Sequence, residues 1–297
     1  MQTSIALSVV LFLVLPAWAQ QAPAKKPAPL PPAPAGVVIE ESVAYLAPGR
    51  AETADLYLPA KRAPGVRSPA VVIIHGGGFT GGDKAAAREF NIGTTLALHG
   101  YVGMSINYAL ASKDTPTWPQ NLQDCMTAVR WLRKNADRLQ IDAAHIGTIG
   151  GSAGGHLAAM LAVAESKDGL DPAGPYAEFS CRVQCAVPMY GAYDFTDRKE
   201  LSMIGKPREQ APEAYRAASP ILYLNRHTPP MLVLCGTGDA PATVAQSERF
   251  AAALQKAGVE HELVLVEGAP HSFHLQPKQR DLRPLVLGFF DRHLKGK

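Results

Sequence analysis

The chain has no long basic run, few aromatic residues and only four cysteines, and each shortage removes a class of function. Its formal charge is +3, from 29 Lys and Arg against 26 Asp and Glu, so the charge balance points to no polyanionic partner. Aromatics make up 7% of residues and are not interleaved with basic clusters, so the pattern of a nucleic-acid binder is missing. No His/Cys/Asp cluster has metal-ligand spacing. The apolar run Ile5 to Leu15 is too short to span a bilayer comfortably. There are no internal repeats and no sign of a second core.

What is present is a hydrophobic share of 47% in 297 residues, enough for one substantial core. Residues 1–19 stand outside it. The run from Ile5 ends at Pro16-Ala17-Trp18-Ala19, and Ala17-x-Ala19 is an acceptable signal-peptidase site, so cleavage before Gln20 and a periplasmic or secreted protein are expected. No Lys or Arg precedes the run, which is atypical of a signal peptide, and no cysteine follows it to take a lipid anchor. Residues 20–36 are dominated by Pro and Ala and read as an extended linker, so the folded domain is expected over residues 37–297. Cys125 and Cys235 read as small core residues. Cys181 and Cys185 can pair only across a turn, because Cα atoms four apart in an extended segment are about 13 Å distant.

Periodicity predicts strands at Val37 to Leu46, Ala54 to Leu58, Ala70 to Ile74, Val102 to Ile106, His145 to Ile149, Gln184 to Met189, Met231 to Cys235 and Glu262 to Val266. The first two form a hairpin across Pro48-Gly49, and Ala70 to Ile74 is apolar without alternation, as in a strand covered on both faces. Helices are predicted over Lys84 to Leu98, Pro119 to Leu139, from Ser152 through the Ala/Leu-rich run Leu157 to Ala164, and over Thr243 to Lys256 and Leu282 to Leu294. Strands alternating with helices over about 250 residues imply a single α/β domain, with a mainly parallel sheet, helices on both faces and functional loops at the carboxyl ends of the strands.

The candidate chemistry falls at those ends. Gly150-Gly151-Ser152-Ala153-Gly154 lies between an apolar strand and an Ala/Leu-rich helix, the setting of a Gly-x-Ser-x-Gly nucleophile elbow. A serine at such a turn presents its Oγ above the sheet, and the helix that follows aims free N–H groups at any oxyanion formed there. The strand ending at Ile74 runs into His75-Gly76-Gly77-Gly78-Phe79. Three glycines let backbone N–H groups approach a substrate oxygen, so Gly77 and Gly78 with Ala153 are the expected oxyanion hole. The Lys-Ser/Thr of a phosphate loop is missing, and Rossmann spacing does not fit. His75 reads as a structural hydrogen-bonder of the glycine loop. Asp239, after Met231 to Cys235, suits the chain order Ser, Asp, His, and Asp194 is its competitor. His271 and His274 both qualify as the base by position. His99, His145, His156, His227, His261 and His293 sit before strands, within helices or in polar loops, where a satisfied or solvated role is expected.

Taken together, Asp55-Leu56-Tyr57-Leu58-Pro59, His75 to Phe79 with Gly82-Asp83-Lys84, Asn107-Tyr108, Asp124 with Ala128 to Arg133, Gly150 to His156, Ser219-Pro220 and Gly236 to Asp239 resemble α/β-hydrolases of the BD-FAE type. These stand near acetyl-xylan and feruloyl esterases and the hormone-sensitive-lipase-like esterases. The resemblance runs from about residue 37 to the C-terminus and implies a serine carboxylesterase acting on short-chain, acetyl-type esters, with xylan and similar polysaccharides as substrates. It implies Ser152 as nucleophile, Asp239 as acid and, from a Gly-His-x-Phe-like loop, His271 as base, although Ala269-Pro270 intervene after Gly268. It implies no cofactor, a small-molecule or carbohydrate ester as partner, and no stable membrane association after signal cleavage. The span Leu201 to Leu224 is placed to cover the acyl pocket, and Trp118, in the Pro116 to Pro119 loop, either lines that pocket or is an ordinary packed loop aromatic. A prolyl-oligopeptidase-type peptidase shares the elbow, but this chain has no room for its propeller. An arylformamidase-like amide hydrolase also fits the fold, and a non-catalytic binder on this scaffold typically lacks a triad member.

Overall fold

The computed structural model describes residues 31–296 apart from 64, 166–167 and 172–173. The expected signal peptide and residues 20–30 of the expected linker lie outside the described residues. Eight strands form one sheet: β1 (Val37–Ala44), β2 (Thr53–Pro59), β3 (Ser68–Ile74), β4 (Val102–Ile106), β5 (Ile141–Gly151), β6 (Cys185–Met189), β7 (Met231–Gly236) and β8 (His261–Val266). Their order is β1-β2-β4-β3-β5-β6-β7-β8. The opening hairpin is antiparallel and β2 meets β4 antiparallel, whereas every pairing from β4 to β8 is parallel.

The helices are α1 (Ala87–Leu98), α2 (Gln120–Lys134), α3 (Ala136–Leu139), α4 (Ala153–Val163), α5 (Pro212–Ala217), α6 (Pro241–Lys256) and α7 (Arg283–Leu294). The unbroken apolar run of β3 has the meaning its pattern implied. Ala70, Val72 and Ile74 pack into one core with Leu122, Met126 and Val129 of α2 and Leu157 of α4. Val71 and Ile73 point the other way, into a second core with Ile92 and Leu96 of α1 and Val286 and Phe290 of α7. Alternate side chains of a strand face opposite sides, so a strand buried on both must be apolar throughout.

Local departures from the expected elements have local causes. The single helix expected from Pro119 to Leu139 breaks at Asn135, whose backbone N–H and side-chain Nδ2 both donate to the Trp131 carbonyl, at 3.0 and 2.9 Å. The apolar rhythm carries on through buried Ala136 and Leu139, so periodicity alone could not register the break. The elbow helix, by contrast, begins directly after Ser152 as expected, at Ala153, with Gly154 and Gly155 helical. Segment 201–224 folds into α5 and two 3-10 turns, Arg208–Gln210 and Pro220–Leu222. All four cysteines are buried and free, so Cys181 and Cys185 do not pair. Among the described residues, no helix is long and apolar enough to cross a membrane.

Helix α1 lies very close to β2. A Cβ on Gly93 would sit 2.4 to 2.7 Å from ring atoms of Tyr57, itself 1% exposed. Gly93→Ala therefore sets a helix-propensity gain of about 1 kcal/mol against an overpacking cost of about 1–3 kcal/mol. Because the ring has nowhere to go, overpacking should win: a net loss of about 1 kcal/mol or more, read as a lower urea midpoint at unchanged slope.

Candidate active site

Five strand ends, from β3, β5, β6, β7 and β8, converge on one cleft. Ser152 sits between β5 and α4 at φ 59° and ψ −119°, a conformation costly for any residue with a Cβ. The surrounding glycines make room for it. A Cβ on Gly154 would lie 2.0 Å from the Ile74 carbonyl oxygen, and one on Gly150 would lie 2.3 Å from the Gly154 oxygen. The Ser152 N–H donates to the Met189 carbonyl of β6 at 2.9 Å, and its own carbonyl accepts from His156 N at 3.0 Å, so both peptide groups are held.

The Ser152 Oγ is 2.9 Å from His271 Nε2, and His271 Nδ1 is 2.6 Å from Asp239 Oδ2. The Asp239 carboxylate is 3% exposed and the His271 imidazole 41%, so the carboxylate is shielded while the imidazole faces the cleft. Asp239 Oδ1 also accepts from the Ala240 N–H at 2.6 Å. The two loops meet backbone to backbone: a Cβ on Gly236 would lie 2.0 Å from the Ala269 oxygen, which accepts from Gly238 N at 3.0 Å. The Ala269-Pro270 insertion is thereby accommodated without displacing His271.

The competing residues are elsewhere. Asp194 accepts from Thr196 N and Oγ1 at 2.9 and 2.6 Å and pairs with Arg249 at 3.2 Å, contacts that hold its carboxyl below the ordinary carboxylate range despite partial burial. His274 Nδ1 accepts from the Gln276 N–H at 2.9 Å in an exposed turn.

The glycine loop folds against the elbow, where a Cβ on Gly76 would lie 3.1 Å from Ser152 Cβ. Gly77 and Gly78 adopt φ of 118° and 62°. Their N–H groups and that of Ala153 donate to no protein acceptor among the described residues. With the N-terminus of α4 behind Ala153, this is a place where negative charge is favoured.

Behind the loop lies a polar scaffold built from the same short sequence signatures. Lys84 pairs with Asp55 at 2.8 Å, Asn107 accepts from Lys84 N at 2.7 Å and donates to Asp83 at 3.0 Å, and Tyr108 donates to the His75 carbonyl at 2.9 Å. The His75 ring stacks on Tyr108 at 4.4 Å, with Nδ1 2.7 Å from the Gly76 oxygen. Burial pushes His75 down to about 4, so it stays neutral and holds the loop.

The cleft has a volume of about 340 Å³ and is bounded by Phe79, His156, Phe195 and Leu201, with Arg198, Glu200 and Ser202 among its polar lining. The expected cover, Leu201 to Leu224, contributes its first two residues. Trp118 is not among the lining residues; it packs against His156, with ring centroids 6.2 Å apart, so of its two readings the packed loop aromatic holds and the pocket-lining one does not. His156 is fully buried, with Nε2 2.7 Å from the Ala218 oxygen, and burial lowers it to about 4. Sequence reasoning missed the cleft roles of Phe195, Tyr190 and Gln246. Only Tyr190-Gly191, directly after a predicted strand, left a signal. No group of three or more His, Cys, Asp or Glu able to hold a metal occurs among the described residues.

The BD-FAE family model matches residues 54–254. The chain is 32% identical to Esterase LipQ of Mycobacterium tuberculosis over 238 residues, covering 76% of this chain and 55% of that protein. It spans about half the length of the curated relatives LipQ, LipC and LipM. Esterase 2 of the planctomycete Thermogutta terrifontis, solved with propionate bound, is 26% identical with a TM-score of 0.73, covering 87% of this chain and 94% of that one. The same esterase has been solved phosphorylated by paraoxon, at 26% identity and a TM-score of 0.70. A truncated carbohydrate esterase from gut microbiota has the same fold, with a TM-score of 0.77 over 87% of this chain and 96% of that one at 23% identity. The motifs, the sheet order and these likenesses agree, and the chain belongs to the BD-FAE family, with the α/β-hydrolase fold.

Proposed function

We propose that this protein is an exported serine carboxylesterase that removes short acyl groups, acetyl above all, from small or polysaccharide esters such as acetylated xylan. The observation that carries the reading is His271, bonded to Ser152 Oγ on one side and to Asp239 on the other at the edge of the cleft. Ser152 attacks the ester carbonyl carbon while Nε2 of His271 takes its proton. Asp239 holds Nδ1–H and stabilises the imidazolium. The N–H groups of Gly77, Gly78 and Ala153 receive the oxyanion. The imidazolium then protonates the leaving alkoxide, and a water deprotonated by His271 releases the acid and restores the serine. None of these steps calls on a cofactor.

Two further observations support the reading. Esterase 2, the related enzyme, is phosphorylated by paraoxon, a reagent that reports an activated nucleophile. The cleft is walled by Phe79, Phe195 and Leu201, which favours small acyl groups, and its Arg198, Glu200 and Ser202 can meet a hydroxylated alcohol. Export rests on Ile5 to Ala19, and N-terminal sequencing of protein from the culture fluid or periplasm should start at Gln20. A mature chain beginning at Met1 overturns that part.

Ser152→Ala should lower kcat on p-nitrophenyl acetate by about four orders of magnitude or more with the fold intact, and His271→Ala by a similar factor. The double variant should be hardly slower than either single one, because nucleophile and base act as a unit. Asp239→Asn should cost somewhat less, and His274→Ala little. An active Ser152→Ala protein, freed of contaminating esterase, overturns the assignment.

A series of p-nitrophenyl esters from acetyl to octanoyl should show kcat/KM falling with chain length. A rise at octanoyl rejects the small pocket, and acetate released from acetylated xylan but no ferulate from methyl ferulate fixes the acyl class.

A further inference from the structure

Two polar groups lie under the His271 loop and take no part in the chemistry above, the Arg88 guanidinium and the Tyr190 phenol. Arg88, on α1, is 14% exposed and donates through Nε and Nη2 to Glu89 Oε1 at 2.8 and 2.6 Å. Its Nη1 donates to Tyr190 Oη at 3.2 Å. Two glycines of the site leave it room. A Cβ on Gly151 would lie 2.8 Å from Arg88 Nη1 and 2.6 Å from Tyr190 Oη, and one on Gly76 would lie 3.3 Å from Arg88 Nη2. The pair is therefore lodged directly behind the elbow and the glycine loop.

Tyr190 follows β6 at φ 38° with its backbone N–H donating to the Leu234 oxygen at 2.6 Å. Its Oη donates to the Phe273 carbonyl at 2.6 Å, two residues beyond His271. Its ring stands edge-on to His271 and Phe273, with centroids 5.0 and 4.6 Å away. Burial pushes the phenol up to about 12 against the opposing pull of Arg88, so it stays protonated. One phenol hydrogen can serve one acceptor, so it goes to Phe273 while a lone pair takes the Arg88 N–H. Donation from a cation makes the phenol a stronger donor in turn.

The loop needs such a hold. The His271 side chain is 41% exposed, and the loop contains Gly268 and Ser272 at φ 66° and 67°. We propose that Tyr190, oriented by Arg88, is a positioning residue that keeps the His271 loop at working distance from Ser152. This rests on the reading of His271 as the base. Misplacing a reacting group by about 1 Å can cost a factor of about a hundred, whereas substrate binding at the cleft walls need not change.

The test compares Tyr190→Phe with Tyr101→Phe. Tyr101 is also fully buried and donates to Asp291 at 2.7 Å, but it precedes β4, at the end of the sheet away from the cleft. With p-nitrophenyl acetate, Tyr190→Phe should lower kcat about tenfold to a hundredfold with KM changed less than about threefold. The rate at which paraoxon phosphorylates the enzyme should fall by the same factor, since that step needs the base. Tyr101→Phe should lose stability with kcat within about twofold of the parent. Arg88→Lys, which keeps the charge and one donor, should lie between Tyr190→Phe and the parent. Unchanged kcat and paraoxon rate in Tyr190→Phe, with only its unfolding midpoint lowered, overturns the proposal. If Tyr190→Phe does not fold, unchanged rates in Arg88→Lys overturn it. An active His271→Ala protein overturns the underlying reading instead, so the two failures are distinguishable.

Discussion

The site depends on one close approach, that of the N-terminus of α4 to the end of β3. No side chain separates them, since a Cβ on Gly154 would collide with the carbonyl oxygens of Ile74 and His75 at 2.0 and 2.6 Å. That contact forces the turn between β5 and α4 to be sharp and holds Ser152 in the strained region, at a cost of about 1–3 kcal/mol that the surrounding packing offsets. It also brings the first free N–H of α4 beside the glycine loop that leaves β3. The strained serine and the cluster of free N–H groups are thus products of the same contact. A side chain at either flanking glycine would move both.

The polar residues around the glycine loop divide into two kinds. Those facing the cleft are backbone groups, the Ser152-His271-Asp239 set and Ser202, whose hydroxyl donates to the Gly78 carbonyl at 3.2 Å. Those facing away, Asp55, Lys84, Asn107 and Tyr108, bond to one another and to the loop's backbone, with Lys84 and Asp55 paired at 10% and 5% side-chain exposure. A buried ion pair of this kind adds little net stability but penalises alternative arrangements of the loop that would leave a charge unpaired. His75 works in the same way, kept neutral by burial.

The sequence was most readable where one residue type answers one physical demand. Unbroken apolar runs gave the double-sided strands, and Gly-x-Ser-x-Gly between strand and helix placed Ser152 where it stands. Asp239 and His271 could be reached because each follows a predicted strand in the chain order this architecture uses. Choosing His271 over His274 needed the family resemblance, since the two differ by three residues and no periodicity distinguishes them. The break at Asn135 was hidden because the apolar rhythm runs through it. Trp118 stayed open between two readings because a loop tryptophan declares its size but not its direction, and its ring packs on His156. Arg88 and Tyr190 were invisible as a pair: they are 102 residues apart, and only the closed sheet brings them to 3.2 Å.

The order of strands has a further consequence for how the molecule comes apart. Ser152 follows β5, which lies inside the sheet between β3 and β6, whereas Asp239 and His271 follow β7 and β8, the last two strands at one edge. Edge elements open locally at lower free energy than central ones, and amide exchange reports this as unequal protection along the chain. An excursion that frays this edge carries Asp239 and His271 away from the cleft while the elbow and the glycine loop keep their shape. On the proposed mechanism the molecule in that state is still folded but has no base to activate the serine. The placing of the imidazole is therefore a property of the sheet's edge, and the architecture of the cleft a property of its centre.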